Sequence, residues 1–415
     1  MENTNLKPIV RFPEFTEGWE EKKLGDVTKF KSGGTPSKDE PSYWNGNIPW
    51  ISAASMKGKY YSNSDRKITD IGLKNGSKIS SKGNLLLLVR GSMLYNKIPL
   101  GITKVDVAFN QDLKSISTTE ATTPSFLYEW FLFSQNKLLN IVVGTGIGAG
   151  KLDTNDLKNL RLNLPSLPEQ QKITTFLTEV DNHITLLEEK KEGLEAYKKG
   201  VMQKIFNQDI RFKDDSGNEF KDWDEKKLGI VGNTINGLTG KTKEDFGSGK
   251  PFIQYTQIFN SSKVNTNDFG LVNIRENDNQ TKVQFGDILF TTSSETPHEV
   301  GMSSVLLEEI DELYLNSFSF GFRPNNLKEL VPSFAQYLFR SNNVRRNIIK
   351  LAQGSTRYNM SKLSFIKQTI LLPEEGEQIK IANYLTVLDD KIEALQQKIE
   401  SSVDFKKGIL QKMFV

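Results

Sequence analysis

The chain has 415 residues, 37% hydrophobic and 25% charged, with a net charge of +3 and no cysteine. That length is too great for one ordinary core, the composition is that of a globular protein, and disulfide scaffolds and thiolate sites are excluded. No stretch reads as a membrane span or secretion signal, the start MENTNLKP being polar; with no cysteine, a cytoplasmic location is expected, while the small net charge is weak support for a nucleic-acid partner.

In chain order, Trp19 with Glu21-Lys22-Lys23-Leu24-Gly25 opens the first half as a charged strand entry. Leu85 to Val89, after Gly83, predicts a short buried strand, and Pro124-Ser125-Phe126 starts an amphipathic helix, PSFLYEWFLFSQNK. From Pro165 to Phe206 apolar residues (Ile173, Phe176, Leu177, Val180, Ile184, Leu187, Leu194, Tyr197, Val201, Ile205) recur at helical spacing, which lines one face and requires a partner. A helix of about 39 residues would run ~58 Å; Gly193 weakens it by ~1 kcal/mol against Ala.

The second half repeats this order: Trp223 with Glu225-Lys226-Lys227-Leu228-Gly229, the strand Ile288 to Thr291 after Gly286, and PSFAQYLFRSNNVRR from Pro332. Pro373 to Phe414 then matches Pro165 to Phe206 without a gap, at a constant offset of 208. Glu169-Gln170 matches Glu377-Gln378, Asp181 matches Asp389, and Lys198-Lys199-Gly200 matches Lys406-Lys407-Gly408. Its own apolar series is Ile381, Tyr384, Leu385, Leu388, Ile392, Leu395, Ile399, Val403 and Phe405. The expected fold is α+β: two pseudo-symmetric mixed α/β heads, residues 1–165 and 209–373, separated by two long helices, 166–208 and 374–415, packed as an antiparallel coiled-coil pair. Ile173, Leu177, Ile184 and Leu187 are expected to pair with Ile381, Leu385, Ile392 and Leu395, or to dock a partner.

The residues give no support to a catalytic centre. His183 sits in the helical repeat opposite Lys391 in the matching copy, and His298 lies in a loop without a second histidine. There is no His/Cys metal cluster and no Ser-His-Asp pattern. GTGIGAGKL (Gly144 to Leu152) has Thr145 in place of the first phosphate-loop glycine and Leu152 in place of the Ser/Thr; NGLTGKT, ending in Thr242, has Ile235 there. Flexible loops, or basic glycine loops near phosphates, are the remaining readings. The E-x-K fragments at Glu21 and Glu225, with Glu14 and Asp215 as imagined companions, suit exposed strands better than a nuclease, and no Asn/Asp-Pro-Pro-Tyr/Phe methyltransferase motif occurs. No catalysis, metal or cofactor is expected of this chain.

Recognition remains. In the first head the candidates are Lys31, Ser32, Gly33, Gly34, Thr35, Lys38, Tyr43, Asn45, Tyr60, Arg66, Lys67, Arg90, Ser92 and Lys151. In the second they are Lys241, Thr242, Lys243, Gln254, Tyr255, Gln257, Ser293, Ser294, Arg357, Tyr358 and Asn359. Arg and Lys pair with guanine edges and Asn or Gln with adenine, while Lys and backbone amides fix register on phosphates. The plainer reading places Trp44 and Trp50 in the core and Asn45-Gly46 in a turn. A self-contained nuclease or ATPase and a protein-only coiled-coil scaffold are the alternatives; degraded phosphate loops oppose the first, and loops rich in aromatic, Lys and Asn residues oppose the second.

Taken together, the motifs resemble the specificity subunits of type I restriction-modification systems over essentially the whole chain. They are Trp19 to Gly25, SGGTPS (Ser32 to Ser37), YWNGNIPWIS (Tyr43 to Ser52), ITDIGLKNGS (Ile68 to Ser77), VRGS (Val89 to Ser92), FNQDL (Phe109 to Leu113), LPSLPEQQKI (Leu164 to Ile173), and, later, WDEKKLG, FGDILFTTSSETPHEVG and LPEEGEQIKI. The resemblance implies that the heads are target recognition domains, each reading half of a bipartite asymmetric sequence in double-stranded DNA, and that the helices set their separation, one or more turns of ~34 Å. It further implies two methyltransferase subunits as partners, which would carry S-adenosylmethionine and flip the adenine, and restriction (motor-nuclease) subunits. The second head lacks the SGGTPS…YWNG pattern, so its readout is expected to differ.

Overall fold

A computed structural model describes residues 7–146 and 148–415; the MENTNL start and Ile147 of the first glycine loop lie outside the described residues. The chain forms two compact units, one of residues up to Leu187 with Gln397–Val415, the other of Glu188–Gln396. Each unit thus contains one head, part of one long helix and part of the other.

In the first unit, the leucine run Leu85–Leu88 is a strand buried on both faces, as expected of an apolar run without alternation. It lies inside a five-stranded sheet ordered Thr28–Ser32, Leu113–Thr118, Leu85–Leu88, Leu100–Thr103 and Tyr60–Tyr61. All neighbours are antiparallel except the last pair. A four-stranded sheet (Lys67–Ile68, Trp44–Ile51, Val107–Phe109, Lys78–Ser80) carries the YWNGNIPWIS segment. The charged entry Glu20–Lys23 pairs antiparallel with Arg161–Leu164, the strand leading into the first long helix.

The second unit repeats the plan with different core residues. Gly232–Asn236, Ser319–Pro324, Ile288–Thr291 and Ser303–Val305 form its main antiparallel sheet, and Asp224–Lys227 pairs with Thr369–Leu372. Where the first sheet packs leucines, this one packs rings: Phe290 lies 4.7 Å from Phe365 and 5.1 Å from Phe339, centroid to centroid. Fully burying each such side chain is worth about 1.5–3 kcal/mol, so both versions hold the same strand in place.

The helices predicted from Pro124 and Pro332 are shorter than the sequence pattern indicates and are not amphipathic. They span Pro124–Phe133 and Pro332–Leu338. The first gives way to Gln135–Asn140 after Ser134, and the second to Asn342–Ile349, whose N-cap Ser341 accepts from the Val344 amide. A serine that satisfies a free helix N–H favours a new start over continuation. From Phe126 to Phe131 every residue is buried, because sheet and long helix cover opposite sides.

The long helices run Leu167–Phe206 and Glu375–Met413. In the first unit the start of one shares a core with the end of the other: Ile173 and Leu177 with Leu410, Met413 and Phe414. In the second unit Ile205 and Phe206 share a core with Ile381, Ala382, Leu385 and Leu388. Start beside end in both units is antiparallel packing. The seam is narrower than the sequence pattern drew it. Leu395 is buried, Ile184, Leu187 and Ile392 are half-buried, and Tyr197, Val403 and Phe405 are 46–53% exposed. The inward stripe of the last turns runs through buried Ile399, Leu410 and Met413 and half-buried Ser402, Lys406 and Ile409, the spacing a helix of 3.6 residues per turn imposes.

The matched Glu-Gln pair at the head of each helix has a structural explanation. Glu169 accepts two bonds from Arg11 (2.7 and 2.8 Å) and one from Trp19 Nε1. Glu377 does the same with Arg211 (3.1 and 2.8 Å) and Trp223 Nε1 at 3.0 Å. Gln170 donates to the carbonyls of Ala121 and Pro165 and accepts from Thr122 and Thr123. Gln378 donates to Glu329 and Pro373 and accepts from the Val331 amide. A buried carboxylate and a buried amide are tolerated only when so paired, and here the pairing fastens each head to its helix.

Candidate nucleic-acid interface

In the first head the tryptophans of the YWNGNIPWIS motif hold the glycine loop. Trp50 Nε1 donates to the carbonyl of Gly34 (3.2 Å) and Trp44 Nε1 to that of Ser37 (2.8 Å), their rings meeting edge to face. A Cβ on Gly33 would stand 2.2 Å from the Phe109 carbonyl oxygen, and one on Gly34 2.3 Å from that of Gly76. These two glycines therefore serve close backbone approach rather than an open anion cradle. Lys31 donates to the Ile79 carbonyl, Ser32 accepts from Lys114, and Thr35 donates to Gln111. Asn45 adopts φ +61°, as the turn reading anticipates.

Lys38, Asn45, Arg66, Lys67, Arg90, Ser92 and Lys151 stay exposed, and Tyr43 is half-buried. Arg90 and Lys151 face each other as register partners on a small sheet of Arg90–Gly91, Gly150–Lys151 and Val143–Gly144, with Ser92 directly after it. Lys151 also lies 3.6 Å from Asp153. Tyr60, 42% exposed, is capped by Lys104 at 3.9 Å from its ring centroid; it stands on the edge strand of the five-stranded sheet, and Arg66 and Lys67 stand at the edge of the other sheet. The described part of GTGIGAGKL is a hairpin with Gly146 and Gly148 at positive φ.

In the second head the structure separates the candidates. The Lys241 side chain is only 4% exposed; it donates to the Asn273 carbonyl (2.6 Å) and pairs with Asp278. Thr242 is the N-cap of a capping box with Asp245. The Gly-Lys-Thr segment is thus a folded turn, with Lys243 its exposed cation. Asp278 is held below the usual carboxylate range, chiefly by Lys241, and Asp245 by the Thr242 amide. Gln257 is buried in the helix Tyr255–Asn260 and Gln254 is half-buried at its N-cap. Tyr255, Ser293, Ser294 and Arg357 come together around one cleft. Ser293–Ser294 pairs with Tyr358–Asn359, the counterpart of Arg90–Gly91 with Gly150–Lys151. Tyr255 donates to the Ser293 carbonyl at 2.7 Å, and burial raises its phenol's affinity for the proton.

Sequence reasoning missed two arginines that hold the loops beside this cleft. Arg345, half-buried and without a carboxylate partner, donates to the carbonyls of His298 and Val300 (both 2.8 Å) and of Gly301. Arg340 donates to those of Ile258, Phe259, Ser261 and Ser303. Burial pushes both down to about 10, still fully charged at neutral pH. Their partners lie 37–82 residues away, so RSNNVRRNII gave no signal beyond charge. Phe318, 64% exposed, and Glu295 are further additions to the cleft.

Elsewhere the imagined nuclease companions are spent symmetrically on helix lysines, Glu14 on Lys172 (3.3 Å) and Asp215 on Lys380 (2.7 Å). Among the described residues no group of three or more His, Cys, Asp and Glu side chains could hold a metal ion, and no helix is long and apolar enough to cross a membrane.

The model of a family described as "Type I restriction modification DNA specificity domain" matches twice, over residues 16–196 and 220–402. The chain is 32% identical over 188 residues to the type I restriction enzyme EcoR124I/EcoR124II specificity subunit of Escherichia coli, a match covering 45% of each chain. It is 26% identical over 408 residues to the MjaVIII specificity subunit of Methanocaldococcus jannaschii, covering 95% of this chain and 91% of that one. The first of these matches spans about half the relative's length. The crystal structure of a type I restriction-modification S subunit from M. genitalium superposes with a TM-score of 0.54 at 16% identity, over 99% of both chains, which is a likeness of fold. With the domain present twice, on a scaffold repeated down to its Glu-Gln clamps, the chain belongs to the type I restriction-modification DNA specificity family.

Proposed function

We propose that the chain gives a type I restriction-modification complex its address: each head reads one half of a bipartite, asymmetric duplex sequence, in the major groove where base edges are distinguishable. The observation that carries this reading is a duplicated scaffold bearing unlike loops. Arg90 and Lys151, with Gly91 and Gly150, occupy in one head the place that Ser293, Ser294, Tyr358 and Asn359 take in the other. Exposed Lys38, Arg66, Lys67 and Lys243 suit phosphate contacts that set register. The helix pair sets the spacing of the two half-sites and docks two methyltransferase subunits. Those subunits carry S-adenosylmethionine and the adenine-flipping chemistry; restriction subunits join them, and the assembly works in the cytoplasm without catalysis by this chain.

Co-expression with the methyltransferase subunits, followed by mapping modified adenines across a genome, tests the proposal. A single bipartite sequence is expected. Inserting four residues into both helices, about 6 Å of rise, should lengthen its spacer by up to about two base pairs. Modification at unrelated sites, an unchanged spacer, or DNA cleavage by the chain alone would refute it.

A further inference from the structure

The cleft of the second head, about 530 Å³, holds more charge than positioning on phosphates needs. Tyr255 and Phe259 stack along one wall, centroids 6.2 Å apart and 18° from parallel. The Tyr255 hydroxyl is spent on the Ser293 carbonyl, and Glu299 is spent on the Ser294 hydroxyl at 2.9 Å. Two charged groups on the cleft are left, Glu295 and Arg357. Both are exposed, and among the described residues neither has an ion-pair partner within 4.0 Å.

A carboxylate on a surface that faces phosphates is repelled by them, so an unpaired one weakens binding unless it meets a donor. In the major groove the donors are the amino groups of cytosine N4 and adenine N6, and Glu suits cytosine N4. Arginine suits the paired acceptors O6 and N7 of guanine. A guanidinium and a carboxylate around one concavity match the two halves of one base pair. The corresponding sheet of the first head presents Arg90 and Lys151 instead, with the nearby carboxylate of Asp153 already engaged by Lys151.

We propose that Glu295 and Arg357 are specificity-determining residues that together read one G·C pair, Arg357 on guanine O6 and N7 and Glu295 on cytosine N4. This rests on the reading of the heads as DNA-binding. Phe318 supplies the apolar rim of the same cleft.

The test uses the full chain assembled with its methyltransferase subunits, as wild type, R357A and E295Q, each selecting duplexes from a randomised pool that is then sequenced. Wild type should enrich a bipartite motif with a G·C pair in the half-site read by the second head. Both variants should lose discrimination at that same pair by about 5- to 150-fold, with the other half-site unchanged; that half also reports that the variants are folded. If R357A abolishes its half-site outright, E295Q, a near-isosteric surface change, decides. Wild-type motifs from both variants, effects at different pairs, or uniform weakening with a shallower salt dependence, as a phosphate contact gives, would overturn the inference and leave the reading of the heads intact. A wild-type complex that enriches no bipartite motif would overturn that reading itself.

Discussion

Replacing Glu377 with alanine should selectively destabilise the unit that contains it. The carboxylate is fully buried and takes three bonds, two from Arg211 and one from Trp223. Removing one partner of a buried pair costs about 3–5 kcal/mol. Arg211 keeps 18% exposure, the carbonyls of Phe220 and Lys221, and Asp222, so the low end, about 3 kcal/mol, applies. For a unit of roughly 200 residues, 1 kcal/mol moves the midpoint by about 2–4 °C, giving a fall of about 6–12 °C. Two units need not melt together, so scanning calorimetry is paired with amide exchange resolved to peptides. In Glu377→Ala, the transition of residues 188–396 moves while that of the other unit stays. Glu169→Ala, which breaks the matching clamp to Arg11 and Trp19, does the reverse. The double substitution Arg211→Met, Glu377→Met should recover most of the loss, because no buried charge is then left unpaired, Asp222 being fully exposed. A shift below about 2 °C, equal shifts in both units, or a double variant as unstable as the single one would refute the clamp.

Three further outcomes are expected. Gly193, Gly200 and Gly408 lie in the long helices with open space where a Cβ would stand, so each Gly→Ala should stabilise by about 0.5–1 kcal/mol, read as a higher melting midpoint without change in the selected DNA sequence. Arg345→Ala leaves three loop carbonyls without their charged donor, and at about 1.5–3 kcal/mol for such bonds amide exchange over residues 293–301 should accelerate about 10- to 100-fold while the sheet core holds. Asp278 and Asp245 have folded-state pKa values below their unfolded ones, so their stabilisation is present above about pH 4 and is lost as pH falls through the folded values; protection of residues 239–245 should drop in that window, and Asp278→Asn should show the loss already at pH 6.

Much of the fold was legible because its signals are local or periodic. The leucine run at Leu85 and the Ile288–Thr291 segment announce buried strands by composition alone. The constant offset of 208 marks two long helices as copies. The matched Asp181 and Asp389 do meet the matched lysines, Lys406 and Lys198. The copies are not chemically alike, and that was illegible: Asp181 also receives Lys59, beside the buried Glu129, whereas Asp389 receives the Tyr337 hydroxyl at 2.8 Å. The candidate site was the least legible part. Lys241 and Lys243 are equal as letters, yet one is folded under Asp278 and the other faces water. Gly33 and Gly34 were read only as recognition candidates, and their close approach to the backbone of Phe109 and Gly76 was not legible.

The sequence alone determined that this chain is a duplication, where its long helices lie, and that two heads of one plan carry different loops, since repeats and apolar periods are written in the order of residues. Which cations and carboxylates remain free to meet a ligand was decided only by tertiary structure. A side chain is spent or available according to partners tens of residues away, and folding brings those partners within hydrogen-bond reach without leaving a mark on the local sequence.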